Sequence, residues 1–183
     1  MQRFSNLDPD EIARLRKRKL IDSPYESLFD TITRATKEVF NASIVLISFI
    51  DEDRHWFKPT IGLDGKEHLP VELAFCSHTI KSDGIFMVVD ATEDERFKNN
   101  PLVTGEPHIR FFIGAPISMP LGVKIGSLCV MDTKPNQVTE YQKAALEGFA
   151  KVISNALVIH DIHTRTVLGN AALEPAFTKK LVN

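Results

Sequence analysis

Cys76 and His78 stand two residues apart in Phe-Cys-Ser-His-Thr-Ile, residues 75–80. A thiol beside an imidazole can be tuned towards its thiolate or can anchor a cofactor covalently. The same two residue types also serve as a small buried side chain and a packing histidine. Arg110 follows Ile109 and precedes Phe111 in a segment patterned as a strand. An arginine there calls for an anion, which can be a ligand carboxylate or phosphate, or one of Asp90, Asp94 and Glu106. Asp90, Asp94 and Arg96 lie close together in Asp-Ala-Thr-Glu-Asp-Glu-Arg-Phe, residues 90–97. Thr92 is placed to cap a short helix whose N-terminus suits the acids and can also meet an anion. Trp56, Phe75, Phe97 and Phe112 can line an apolar cavity or simply fill a core. The candidate ligand-binding set is therefore Trp56, Phe75, Cys76, His78, Asp90, Phe97, Arg110 and Phe112.

Other chemistries find little support. The chain has two cysteines and six histidines, without the spacing of a closed metal site, so no metal is expected. Histidines 55, 68, 108, 160 and 163 are isolated in sequence. No nucleophile elbow, phosphate-binding glycine loop or paired general acid and base is present, so the expectation is a non-enzyme. Cys129 reads as a core strand residue, which leaves Cys76 without a resolving thiol and argues against a thiol–disulfide cycle. The formal net charge is -2, so no global field recruits nucleic acid or an anionic membrane. The basic run Arg14–Lys19 is interrupted by Leu15 and reads as a solvated helix face. The N-terminal residues lack an apolar signal region, and no apolar run reaches membrane-spanning length. The expected location is the cytoplasm, with both thiols reduced.

The elements that must position these residues are legible from pattern. Hydrophobic residues make up 43% and charged residues 25% of 183 positions, ordinary proportions for one globular domain. Three segments carry a small polar residue three places before Glu or Gln: Asp8–Glu11, Ser23–Glu26 and Thr139–Gln142. Each predicts a helix start. The spacing of Leu28, Phe29, Ile32, Thr36 and Phe40 predicts an amphipathic helix ending at Asn41. Residues 43–51 read as a buried strand, and His55–Gly62 as a second, with Pro59 at an edge or an end. A polar loop is expected over 62–70, a short helix over 72–81, a strand over 85–90, and a short helix from Thr92 through Phe97 that Asn99-Asn100-Pro101 breaks. Residues 108–119 alternate as a long strand in which Ile109 and Phe111 share one face, and Gly114 and Pro116 suggest a bulge or strand end. Lys124–Asp132 returns as its partner. The last helix runs from about Glu140 to about Arg165 with two apolar stripes. One, Leu146, Phe149, Ile153, Leu157 and His160, can cover the sheet. The other, Ala145, Val152, Ile159 and Thr166, asks for a second copy of the helix. The resulting fold class is α+β: a central antiparallel sheet of five to six strands, with N- and C-terminal helices on one face and a small-molecule pocket on the other. Residues 1–22 are assigned to an N-terminal helix, 23–165 to the domain with its C-terminal helix, and 166–183 to a tail.

With the motifs placed, FCSHTI, VVDATEDERFKNNPLVTGEPHIRFFIGAPI and IGSLCVMDTKPNQVTEYQKAALEGFA together resemble the GAF domains of bacterial signalling proteins. The likeness is to the group that precedes diguanylate cyclase or histidine kinase modules or stands alone, and it runs from about Leu15 to about Val158. It implies a PAS-like six-stranded sheet, a ligand cavity under the short helices, a homodimer through the terminal helices, and a kinase or diguanylate cyclase as output partner. No output motif is found in this chain, which reads as a standalone sensor or a fragment. The resemblance leaves the ligand and any cofactor open. Bilin and haem are disfavoured, bilin because the aromatic and arginine pattern of bilin-binding domains is not recognisable. The function expected is a small-molecule sensor in signal transduction. Alternatives are a ligand-free dimerisation module and a thiol redox sensor or free methionine sulfoxide reductase-like enzyme using Cys76.

Overall fold

The computed structural model describes the backbone of residues 26–50, 54–63, 68–70 and 75–178. The helix assigned to residues 1–22 lies outside these residues. Six strands form one antiparallel sheet: β1 (Ile44–Ile50), β2 (Arg54–Ile61), β3 (His68–Pro70), β4 (Phe86–Val88), β5 (Phe111–Ser118) and β6 (Lys124–Asp132). Their spatial order is β3-β2-β1-β6-β5-β4, so β1 and β6 lie at the centre. Among the described residues four α-helices accompany them: α1 (Glu26–Phe40), α2 (Cys76–Lys81), α3 (Pro101–Thr104) and α4 (Glu140–Thr178).

Both faces of the sheet are covered, which explains why β1 reads as an unbroken apolar run rather than an alternation. On one face Val45, Ile47, Phe111, Ile113, Leu128 and Val130 pack under α1 and α4. These helices contribute Phe29, Ile32 and Phe40, and Leu146, Ile153 and Leu157. Each such side chain taken from water stabilises the fold by roughly 1.5–3 kcal/mol before entropy is counted. On the other face Ile44, Leu46, Phe112, Cys129 and Met131 pack under α2, α3 and the turns between them.

Helix ends follow the side chains that satisfy them. At the start of α4 the Gln142 amide donates to Thr139 Oγ1 at 3.2 Å, and the Thr139 amide donates to Gln142 Oε1 at 3.0 Å. This is the reciprocal capping box expected from sequence. Gln142 Nε2 also donates to the Val39 carbonyl at 3.0 Å, joining the start of α4 to the end of α1. α1 stops where Asn41 takes a φ of 47°, a left-handed cap that asparagine tolerates.

Several local expectations are corrected. The polar loop over 62–70 contains the edge strand β3, three residues long and paired to the first half of β2. The register of β1 and β2 slips by one residue between Ser48↔Phe57 and Leu46↔Thr60. Pro59 therefore falls in a bulge, where its missing N–H removes no ladder bond. No helix opens at Thr92: residues 91–99 are turns, because Asp90 and Asp94 take the nearby N–H groups themselves. The helix begins instead at Pro101, where Asn100 Oδ1 accepts from the Leu102 amide at 2.9 Å; the supposed breaker is a cap followed by proline at the first turn. Ile109 joins the second face rather than that of Phe111, since His108 has a φ of 60° and alternation begins only at Phe111. Gly114 marks no bulge; the register shift in β5 lies at Ile117/Ser118. Finally, α4 continues to Thr178, past the end set near Arg165. Apolar spacing reports where a helix packs, not where its hydrogen bonding stops. No helix of the described residues is long and apolar enough to cross a membrane.

Candidate functional site: an aromatic cluster and a thiol pair beneath the short helix

Seven of the eight sequence candidates converge on the second face of the sheet. Phe75, Phe97 and Phe112 are almost wholly buried and stack, with ring centroids 4.3 Å apart for Phe75–Phe97 and 5.3 Å for Phe75–Phe112. These offset arrangements suit the ring quadrupoles. Phe112 comes from β5, Phe75 from the entrance to α2, and Phe97 from the turns that follow Asp90. Sequence reasoning missed Phe86 on β4, which completes the group at 5.9 Å from Phe112.

A polar rim edges this cluster. The half-buried His78 ring stacks on Phe86 at 5.4 Å and meets Phe97 edge-on at 4.8 Å. Burial, and then the nearby Arg96 and Lys81 charges, hold the His78 imidazole below its ordinary pKa of 6.5, so it is neutral at pH 7. Arg96 grips Asp94 through two bonds, Nε to Oδ1 at 2.8 Å and Nη2 to Oδ2 at 2.5 Å. The same guanidinium lies over the Phe86 ring, 4.8 Å from its centroid, a cation–π placement. The bond from Arg96 lowers the Asp94 pKa, and bonds from Thr92 lower that of Asp90.

Asp90 and Arg110 take structural partners. Asp90 Oδ1 accepts from the Thr92 amide at 2.9 Å and its hydroxyl at 2.7 Å, which pins the turn. Arg110 Nη1 donates to the carbonyls of Val103 at 2.9 Å and Ile109 at 3.1 Å. It thus caps the C-terminal end of α3, and its charge also helps hold the Asp90 carboxyl below the usual range, after the bonds from Thr92. Trp56 is not brought to the cluster: it lies on β2, its backbone paired with Phe49 of β1, and β1 and β6 separate that strand from β5.

Cys76 lies deeper. Its sulfur is 3.1 Å from that of Cys129, and both free thiols are buried. Ser127 Oγ lies 3.0 Å from Cys129 Sγ and 3.0 Å from Ser48 Oγ. The four groups form a polar chain through an apolar layer. This corrects the reading that Cys76 stands alone. The alternation of β6 puts Ser127 and Cys129 on one face, but only the docking of α2 brings Cys76 onto it.

A groove of about 540 Å³ opens on the opposite, helix-covered side, lined among others by Ser118, Glu147, Lys151 and Ser154. None of the sequence candidates reaches it.

With sheet order and helix placement known, the profile of one domain family, described as the GAF domain, matches residues 24–157. The chain belongs to the GAF domain family. Among curated proteins it is 42% identical over 146 residues to cyclic di-GMP phosphodiesterase PA2567 of Pseudomonas aeruginosa. The match takes in 79% of this chain but only 24% of that relative's length. Among solved structures, the GAF domain from an Acinetobacter phosphoenolpyruvate-protein phosphotransferase superposes with a TM-score of 0.63 at 20% identity, over 86% of this chain and 95% of that one. Free methionine-R-sulfoxide reductase from Neisseria meningitidis, solved with its substrate, gives 0.62 at 18% identity, over 89% and 98%. At these identities the two structures establish the shared GAF fold and no activity. Family and curated relative together give this GAF domain a sensory, signalling role in coarse terms.

Proposed function

We propose that this GAF domain binds a small molecule at the aromatic cluster and passes its bound state through α4 of a homodimer to a signalling output. The observation that carries the reading is the asymmetry of the sheet's two covers. One face lies under two long helices whose core contacts with the sheet are apolar. The other lies under a six-residue helix and turns, closed by aromatic rings and edged by His78, Asp94 and Arg96. Apolar walls with a few oriented polar groups are the usual make-up of a small-ligand site. A ligand with an aromatic or apolar body and one anionic group fits best, since Arg96 can exchange its bond to Asp94 for one to the ligand.

The curated relative supports a cyclic dinucleotide signalling setting, with an enzyme that makes or breaks cyclic di-GMP as the output. Because this chain spans about a quarter of that relative, its phosphodiesterase activity is not assigned here. Support for the dimer comes from Val152, Ile159 and Ile162, which stand 46%, 62% and 59% exposed on α4. Their spacing is that of a coiled-coil seam.

Native mass spectrometry and thermal-shift screening of the full chain against anionic aromatic metabolites test the binding. The expected result is a saturable complex that Arg96→Ala weakens at least tenfold. A chain that binds no member of the set, or binds equally well without Arg96, would refute the assignment of the site.

A further inference from the structure

Cys76 and Cys129 are 53 residues apart in sequence, yet their sulfurs are 3.1 Å apart. That is inside the ordinary contact distance of two sulfur atoms, and about 1 Å of approach separates it from a covalent bond. We propose that Cys76 and Cys129 are a redox-active pair that a hydroperoxide closes to an intramolecular disulfide, tying α2 to the centre of the sheet.

Three features carry this. First, the two thiols come from elements of different character. Cys129 is on β6, paired on both sides by β1 and β5, and is fixed. Cys76 opens the six-residue helix α2, whose N-terminus has no side-chain cap. Short, uncapped helices are drawn from the least stable part of a fold and open locally, which admits a water-sized oxidant to sulfurs otherwise enclosed. Second, the hydroxyls of Ser48 and Ser127 lie in the same buried chain, where they can donate to a sulfur anion. Bonds from Cys129 and the two serines lower the Cys76 pKa, while burial raises that of Cys129 well above the ordinary value. Cys76 is then the attacking sulfur and Cys129 the resolving one. Third, α2 also carries His78 and adjoins Phe75, so the bond would form at the roof of the aromatic cluster.

The chemistry balances in two steps. With hydrogen peroxide, the Cys76 thiolate attacks one oxygen, the O–O bond breaks, and the departing hydroxide takes up the proton released by the Cys76 thiol, leaving Cys76 sulfenic acid and water. The Cys129 sulfur then attacks the Cys76 sulfur. The S–S bond forms, the S–O bond breaks, and the hydroxide leaves with the Cys129 proton as a second water. The two thiols together lose two electrons, and the peroxide gains them.

The test is hydrogen peroxide treatment of the folded full chain, followed by alkylation in denaturant and intact-mass measurement. The number of alkylatable thiols should fall from two to none, with a loss of about 2 Da, and a reductant should restore both. Peptide mapping should link the segment containing Cys76 to that containing Cys129. In Cys129→Ser, Cys76 should instead gain oxygen. Cys129→Ala is the alternative should the serine disturb folding, and the wild-type readout needs neither. Two thiols persisting after treatment, oxygen added to one cysteine of the wild type, or disulfides only between chains would each overturn the proposal.

Discussion

At the residue scale, His78 and Asp94 mark the rim of the aromatic cluster and titrate in separate windows. The His78 pKa is depressed by burial, so the unfolded chain binds a proton more readily than the folded one. Its contribution to stability is complete above pH 6.5 and is lost as the pH falls below that value towards the folded pKa. Asp94 is also depressed, by Arg96. Its contribution is complete above its ordinary pKa of 3.8 and disappears only as the pH falls further. The urea midpoint should therefore begin to decline as the pH falls below 6.5, ahead of the carboxylate limb, and His78→Phe should flatten that first decline while leaving the acid limb intact. A curve unchanged by the substitution would mean that the imidazole is not responsible. Thr79 offers a second test. Its hydroxyl is buried with no hydrogen-bond partner among the described residues, so Thr79→Val should leave stability unchanged or raise it by up to about 1 kcal/mol. Gly114 faces the same side chain: a Cβ there would overlap Thr79 Oγ1 and lie 3.0 Å from Phe112 Cζ. Gly114→Ala should cost about 1–3 kcal/mol in equilibrium unfolding, because α2 would have to lift from β5.

At the element scale, α4 depends on its first turn and on its inner stripe. Thr139→Ala removes an exposed capping box and should cost about 1 kcal/mol. Gln142→Ala should cost at least as much, since it removes the reciprocal half of the box, in which Gln142 Oε1 accepts from the Thr139 amide, and the bond to Val39 on α1. Leu146→Ala, at a position fully buried between α4 and the sheet, should cost about 2–5 kcal/mol. Chemical denaturation of the three variants orders these effects, and a milder loss for Leu146→Ala than for Thr139→Ala would show that α4 does not pack as described. The short helix α2 presents a different balance. It has one turn and a half, no side-chain cap, and contacts chiefly with β5 and β6. Its amides should exchange hydrogen well ahead of those in β1 and β6.

At the scale of the whole molecule, the exposed stripe of α4 is where the proposed dimer is tested. Ile159→Glu places a charge in the middle of the seam and should convert a species of twice the 20.6 kDa chain mass to monomer in light scattering at micromolar concentration. A wild-type chain that is already monomeric there would remove the dimer from the proposed signalling route. A continuous helix from the sheet face outwards is stiff enough to carry a small rotation from one end to the other. A ligand would have to bind the two arrangements of the pair with different affinity for that rotation to be a signal.

Five of the six strands, the helices α1, α2 and α4, and the family were legible in the chain itself, because burial on one face leaves a period and caps leave a spacing. The apolar run of β1, the Thr139–Gln142 box and the inner stripe of α4 are local signals of that kind. The missed edge strand β3 has three residues, too few for a period. The turns at 91–99 and the cap at Asn100 were misread because aspartate and asparagine bond equally well to a turn or a helix start, and only neighbouring packing chooses. Of the eight site candidates, Phe75, Phe97, Phe112 and His78 were picked by residue type and lie together, whereas the partners of Arg110 depended on where α3 ends and the separation of Trp56 from the others on strand order. The thiol pair was hidden for the same reason. Residue type and alternation put Cys129 in the core, but the approach of Cys76 to within a bond's reach follows from α2 docking across β6, a contact between segments that share no local pattern.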